Sequence, residues 1–237
     1  MRKIYPVILF LLVVIAHIWS LYIGNERTEQ FTKPLLVPVL AVYFFWNTQP
    51  FISGLKKWIA SALFFSWVGD LLLMFVTSDD NFFIAGLIAF LFAHVFYIFF
   101  FHSIRMFEKI SGKLFLLMVV FFYYVALMSM LSPWLGTMKL PVRIYGVVIC
   151  FMLMLSMHML YIKNRKAGWK MFAGACLFVL SDSVLAVNKF YIPFVEAGII
   201  TMFTYAAAQL LLVQGAIEYI RGRLENKKPV NGSSRFI

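Results

Sequence analysis

Long apolar runs recur along almost the whole chain, with only short polar segments between them. A helix needs roughly 20 apolar residues to cross the hydrocarbon core of a bilayer. Hydrophobic residues make up 63% of the chain and charged residues 13%, whereas a soluble domain is about half apolar and about a quarter charged. The sequence therefore predicts an all-α, polytopic membrane protein, a bundle of about eight transmembrane helices.

The polar segments divide the chain into predicted spans. These lie near residues 5–24, 34–48, 58–76, 82–101, 114–132, 141–161, 170–188 and 195–219. Residues 1–224 are predicted to form a single transmembrane helical domain, and the polar residues 225–237 a disordered cytoplasmic tail. The second span is short and contains Pro34 and Pro38, so we expect it to be tilted, kinked or partly re-entrant.

Lysine and arginine are distributed unequally between the two sides of this arrangement. Sixteen lie on the side of the N-terminus and five on the opposite side. Because cytoplasmic loops are enriched in these residues, both termini are predicted to be cytoplasmic. The same bias explains the net charge of +11 without nucleic acid binding. Compact loops with lysine-rich cytoplasmic turns suit a bacterial inner membrane, and a protein of the endoplasmic reticulum or plasma membrane would show a similar pattern.

Two aspartates lie inside apolar spans, where a charged group is costly and usually faces the protein interior. Asp70 and Asp182 each follow the start of their span by about a dozen residues, which corresponds to about 18 Å of helix. Since both spans run outward from the cytoplasm, the two carboxyl groups are predicted to lie at one depth and to share a site. The alternative is a structural role, with either aspartate paired across helices.

Small and polar residues accompany both aspartates on the predicted helix faces, which allows close helix packing and points the acids inward. Asp70 precedes Gly86 by sixteen residues and Asp182 precedes Gly198 by sixteen, as expected for two four-helix halves in parallel orientation. The side chains predicted to bind substrate or to line the site are Lys33, Ser66, His94, Tyr97, Ser181, Tyr205 and Gln209. The other histidines, His17, His102 and His158, are predicted at helix interfaces.

No metal or cofactor is predicted. The two cysteines, Cys150 and Cys176, lie inside apolar runs and indicate neither a disulfide nor a thiolate metal site. The four histidines are dispersed and form no HExxH pair of the kind that binds zinc.

The residues around both aspartates form five motifs in a fixed order. They are Lys33-Pro34, the Ser66–Leu73 segment with Gly69-Asp70, Gly86 with Phe90, His94 and Tyr97, Ser181-Asp182 with Leu185-Ala186, and Thr204-Tyr205 with Ala208-Gln209. This set resembles the YhhN family of membrane proteins, the lysoplasmalogenases, over residues 33 to 209. The resemblance implies a hydrolase that cleaves the vinyl ether bond of lysoplasmalogens or a related lysolipid and releases a fatty aldehyde and a glycerophospho-base.

Hydrolysis of a vinyl ether suits a pair of carboxyl groups. The reaction needs a proton delivered to carbon, after which water attacks an oxocarbenium-like cation. A carboxyl group in apolar surroundings can stay protonated and donate that proton, and a second, ionised carboxylate can stabilise the cation or activate water. We expect Asp70 and Asp182 to divide these roles, in an order that the sequence leaves open. Lys33 can bind the phosphate of the membrane lipid or tune one of the acids.

Other functions use similar residues. A proton-coupled lipid or small-molecule transporter would use the same acid pair, and helices broken by glycine or proline in both halves would favour it. An intramembrane aspartyl protease is disfavoured, because Trp67 occupies the first glycine position of its Gly-x-Gly-Asp element. No Gly-x-Ser-x-Gly motif of a serine hydrolase occurs in the chain.

Overall fold

The computed structural model describes residues 4–49, 53–76 and 81–225. In these ranges the chain forms helices and no strand, so the predicted all-α class is confirmed. The α-helices are α1 Tyr5–Ile23, α2 Glu26–Thr48, α3 Leu55–Leu73, α4 Asn81–Phe107, α5 Leu114–Leu131, α6 Lys139–His158, α7 Arg165–Phe190 and α8 Ala197–Glu225. Two short 3-10 helices, Gly136–Met138 and Met159–Tyr161, flank α6.

Most of these helices are long and apolar enough to cross a bilayer. Six of those in the described ranges meet this condition by length and hydropathy: α1, α4, α5, α6 with its flanking 3-10 turns, α7 and α8. The other two, α2 and α3, are too polar for it, since their charged residues include Lys33 on α2 and Lys56, Lys57 and Asp70 on α3. Both nevertheless pack within the bundle. The chain is an integral, multi-pass membrane protein.

The packing of the helices repeats between the two halves of the chain. The pairs α1–α2, α2–α3 and α3–α4 correspond to α5–α6, α6–α7 and α7–α8, and α2 packs on α8 as α6 packs on α4. This repetition supports two related four-helix halves. The halves differ at their first helices, because α1 packs against α8 whereas α5 packs against α7.

The most extensive interface joins α7 to α8 and depends on a small residue. A Cβ atom at Gly174 would lie 2.9 Å from the carbonyl oxygen of Ala208 and 2.9 Å from the backbone nitrogen of Leu212. Glycine at this position therefore lets the two backbones approach closely, as is typical of helix pairs in membranes.

The bundle is apolar on its outside and polar in parts of its inside. Helix α1 exposes Ile8, Leu12 and Ile15, and α5 exposes Phe121 and Phe122. By contrast, the buried side chains include the polar residues Asn47, Ser66, Asp70, His94 and Gln209. An exposed apolar surface of this kind faces lipid, so the buried polar groups are left to contact one another.

The predicted start of the second span was wrong. The segment forms one continuous helix of 23 residues that begins at Glu26, eight residues before the predicted start. Pro38 has no N–H for the carbonyl of Pro34, but the indole nitrogen of Trp67 donates to that carbonyl at 3.0 Å, so the helix continues through both prolines. Hydropathy did not indicate that the helix begins at Glu26, because the residues of its first two turns are mostly polar.

Three other predicted spans were shorter than the observed helices by several residues, each at the end that lies on the same side of the bundle as the N-terminus. Helix α4 continues to Phe107, α7 begins at Arg165, and α8 extends to Glu225. The predicted disordered tail falls almost entirely on residues 226–237, which lie outside the described residues.

Candidate active site

A central cavity of about 270 Å³ lies at the end of the bundle opposite the N-terminus of α1. It is enclosed by the second halves of α1, α3 and α7 and by the first halves of α2, α4 and α8. The polar side chains that line it are His17, Glu29, Lys33, Asp70, Ser181, Asp182, Asn188, Lys189, Thr201 and Tyr205. The two aspartates of the two halves therefore line one cavity.

The carboxyl group of Asp70 ends a buried chain of hydrogen bonds through α3, α4 and α8. Asp70 is only 2% exposed, and the hydroxyl of Tyr205 donates to its Oδ2 at 2.8 Å. The amide nitrogen of Gln209 donates to Ser66 at 2.9 Å and to Tyr205 at 3.3 Å. The hydroxyl of Tyr97 donates to the amide oxygen of Gln209 at 2.7 Å. These bonds fix the position of the Tyr205 hydroxyl that donates to Asp70.

The carboxyl group of Asp182 has a different set of partners. The hydroxyl of Tyr145 donates to its Oδ2, and Nε2 of His94 lies 3.1 Å from the same oxygen and 2.8 Å from the Tyr145 hydroxyl. With the proton on Nε2, His94 becomes a second donor to Asp182. The side chain of Asp182 is 16% exposed, whereas that of His94 is fully buried.

Lys33 places a cation in the cavity beside these acids. The described residues include no carboxylate within ion-pair distance of its ammonium group, although the charge of Lys33 acts on Asp70. Asp70 and Asp182 are themselves close enough to interact electrostatically. Lys33 lies about two turns into α2, because the helix begins at Glu26 rather than near residue 34 as predicted, and its side chain lines the cavity.

Two smaller spaces adjoin the central cavity. A narrow apolar slot of about 40 Å³ shares Asp182 with it and is otherwise lined by Leu73, Phe83, Leu87, Phe90, Val142, Tyr145, Leu185, Ala186 and Phe190. A polar recess of about 260 Å³ shares Lys33 and Glu29 with the cavity and also contains Glu26 and Gln30. The acids thus lie between a polar space and an apolar one.

The predicted site residues fall into two groups. Lys33, Asp70, Ser181, Asp182 and Tyr205 line the cavity, and the hydroxyl of Ser181 donates to the carbonyl of Thr201 at 3.0 Å. The remaining four, Ser66, His94, Tyr97 and Gln209, lie behind the wall, in the hydrogen-bond networks of the two aspartates. No group of three potential metal ligands occurs within the described part of the chain.

The sequence analysis did not identify Tyr145 as a site residue, and it did not predict that His17 lines the cavity. Tyr145 follows Lys33 by 112 residues, as Asp182 follows Asp70, so the internal repeat was a signal for it. His17 was predicted at a helix interface, and its Nδ1 does contact Thr32 of α2 at 2.8 Å. The ring also lines the cavity, however, because α1 packs against both α2 and α8.

Comparisons with known proteins place the chain in a family. It is 34% identical to lysoplasmalogenase TMEM86B of Homo sapiens over 203 residues, 84% of this chain and 81% of the relative. It is 34% identical to lysoplasmalogenase TMEM86B of Rattus norvegicus over 78% of this chain and 70% of the relative. Lysoplasmalogenase TMEM86A of Bos taurus is 31% identical over 66% of this chain and 63% of the relative. No solved structure matches the chain. The model of the YhhN family matches residues 28–216, and the chain therefore belongs to the YhhN family.

Proposed function

We propose that this protein hydrolyses the vinyl ether bond of a lysoplasmalogen, or of a closely related lysolipid, in the central cavity. The observation that carries the proposal is the position of Asp70 and Asp182, which face one cavity between a polar recess and an apolar slot. A single-chain lipid has the same division into a polar headgroup and an apolar chain. The names of the related proteins agree with this substrate class.

The charges of the cavity favour one orientation of the lipid. The ammonium group of Lys33 attracts the phosphate, and the carboxylates of Glu26 and Glu29 in the recess attract a cationic base. The first carbons of the hydrocarbon chain, next to the vinyl ether, enter the apolar slot. Because Asp182 lines both the slot and the cavity, this orientation brings the vinyl ether, which joins the chain to the glycerol, next to the carboxyl pair.

The hydrogen bonds of the two acids support a division of roles between them. Asp182 accepts from Tyr145, accepts also from His94 in the tautomer with the proton on Nε2, and is partly exposed, and these features favour a carboxylate. Asp70 is buried, accepts a hydrogen bond from Tyr205 and is repelled by the charge of Asp182. A bound phosphate would neutralise Lys33, the cation that otherwise favours ionised Asp70. Asp70 is therefore the proton donor and Asp182 the carboxylate.

The reaction follows from these roles with protons balanced. Asp70 gives its proton to the chain-side carbon of the double bond, and an oxocarbenium ion forms at the other carbon beside the negative charge of Asp182. Water adds to that carbon as Asp182 takes one of its protons, which gives a hemiacetal. Asp182 returns the proton to the glycerol oxygen, the carbon–oxygen bond breaks, and the hemiacetal O–H proton passes to Asp70. Aldehyde and glycerophospho-base leave, and both acids regain their starting states.

We further propose that the protein lies in a bacterial inner membrane with both termini in the cytoplasm, as the distribution of Lys and Arg indicates. The central cavity would then lie toward the outer face of the membrane. A reporter fused to the N-terminus tests this orientation: activity in the cytoplasm supports it, and activity only on the outer side contradicts it.

The reaction is tested with purified protein in detergent and three lipids that differ in one bond. These are a lysoplasmalogen, the saturated 1-O-alkyl lysolipid and the acyl lysophospholipid. We expect aldehyde from the lysoplasmalogen alone, with one deuterium on carbon 2 of the aldehyde when the reaction runs in D₂O. Folded protein that releases no aldehyde would contradict the proposal. Proton-dependent uptake of the intact lipid into liposomes would instead support a transporter, although no described helix is interrupted within its length.

A further inference from the structure

The hydrogen bonds of His17 fix which of its ring nitrogens carries the proton. The hydroxyl of Thr32 donates its only hydrogen to the carbonyl of Thr28 at 2.7 Å. Its oxygen must therefore accept in the contact with Nδ1 of His17 at 2.8 Å. Neutral His17 thus carries its proton on Nδ1, and Nε2 is left as an acceptor.

This acceptor is buried and has no partner. His17 is 2% exposed, and its Nε2 makes no hydrogen bond in the structure. The ring lines the same cavity as Lys33 and both aspartates. A buried acceptor without a donor is costly, so the arrangement fits a ligand that brings a hydrogen-bond donor to this point. Lys33, whose charge acts on His17, is outside hydrogen-bond distance of it.

We propose that Nε2 of His17 accepts a hydrogen bond from the free glycerol hydroxyl of a single-chain lipid, and that His17 thereby determines specificity for such lipids. The inference rests on the proposed function, in which the phosphate engages Lys33 and the vinyl ether lies at the acids. The free hydroxyl is on the glycerol carbon between these two groups. A lipid with a second chain has an ester oxygen there, which cannot donate and would face the lone pair of Nε2.

Two substitutions at His17 distinguish the role of the Nε2 acceptor from that of the Nδ1 donor. The amide of His17→Asn can keep the donor to Thr32 but does not reach the position of Nε2. The longer side chain of His17→Gln can place its carbonyl oxygen near that position and restore the acceptor. Thr32→Val removes the partner of Nδ1 and with it the bond that fixes the tautomer. His102→Gln is the matched control, because His102 is exposed and lies far along α4 from the cavity.

Binding is measured with two lipids that the protein cannot hydrolyse by the proposed chemistry: a saturated 1-O-alkyl glycerophosphocholine and its counterpart without the glycerol hydroxyl. We expect the wild type and His102→Gln to bind the hydroxyl lipid about tenfold or more tightly than the other, since the deoxy lipid leaves the acceptor unpaired. The ratio should fall to near one in His17→Asn, fall in Thr32→Val, and largely recover in His17→Gln.

The outcomes distinguish this inference from the proposed function. Equal binding of the two lipids by the wild type, or an unchanged ratio in His17→Asn and Thr32→Val, overturns the role of His17 alone. Failure of the wild type to bind either lipid overturns the proposed function and this inference with it. If His17→Asn does not fold, the wild-type ratio and the Thr32→Val ratio still decide the question.

Discussion

The two carboxyl centres occupy matching positions in the two halves of the bundle but have different chemical surroundings. Asp70 and Asp182 are 112 residues apart, as are Lys33 and Tyr145 on the helices that precede them. The first centre thus combines a carboxyl group with a nearby cation, and the second with a hydroxyl donor. The third partner also differs, since it is Tyr205 of α8 at Asp70 and His94 of α4 at Asp182.

The difference shows how a repeated backbone can hold two unlike acids. Packing brings both carboxyl groups to one cavity. Their hydrogen-bond partners then differ, because Tyr145 and His94 contact Asp182 whereas Tyr205 contacts Asp70, and the proposed division of roles rests on this difference. Each of the predictions that follow changes one group at one of the two carboxyl centres or in the adjoining apolar slot.

The largest effect is expected when either carboxyl group becomes an amide. Asp70→Asn removes the proton donor and Asp182→Asn removes the carboxylate, so each should lower kcat for aldehyde release by about a thousandfold. Glu196→Gln makes the same change at an exposed position and should keep wild-type turnover. A well-folded Asp70→Asn or Asp182→Asn protein with full turnover would refute the catalytic pair.

The donors to the two acids should differ in importance. A hydrogen bond to a charged group contributes about 1.5–3 kcal/mol and a neutral one about 0.5–1.5 kcal/mol. Tyr145→Phe should therefore lower kcat by about 10- to 100-fold, and Tyr205→Phe by about 2- to 10-fold. Steady-state kinetics of the two variants test this order. A larger loss in Tyr205→Phe would reverse the assignment of roles.

Loss of the cation should affect binding more than chemistry. Lys33→Met should raise KM for a lysoplasmalogen by about tenfold, because the phosphate loses a charged partner. The same variant should bind a 1-O-alkenylglycerol, which has no phosphate, as the wild type does. If KM rises equally for both lipids, Lys33 supports the cavity in another way.

A smaller effect than that of removing the cation is expected in the apolar slot. Ala186→Phe places a ring in the path proposed for the hydrocarbon chain, so kcat/KM for a long-chain lysoplasmalogen should fall by about three- to tenfold relative to a short-chain one. Competition between lipids of two chain lengths in one reaction measures this ratio. A ratio equal to that of the wild type would place the chain elsewhere.

Much of the fold and part of the site could be predicted from the sequence. Apolar length identifies spanning helices, and the cost of a charge in lipid singles out Asp70 and Asp182. The beginning of α2 could not be read from hydropathy, because its first turns are polar and the bond from Trp67 to Pro34 is a tertiary contact. Tyr145 and His17 were inconspicuous for a related reason. Each depends on a partner on another helix, Asp182 and Thr32 respectively.

Infrared difference spectroscopy of the protein with a bound saturated 1-O-alkyl lysolipid would locate the proton of the acid pair. The division of roles predicts a protonated carboxyl band in the wild type that is lost in Asp70→Asn and retained in Asp182→Asn. Loss of that band in Asp182→Asn alone, or its absence from the wild type, would contradict the assignment of Asp70 as the proton donor.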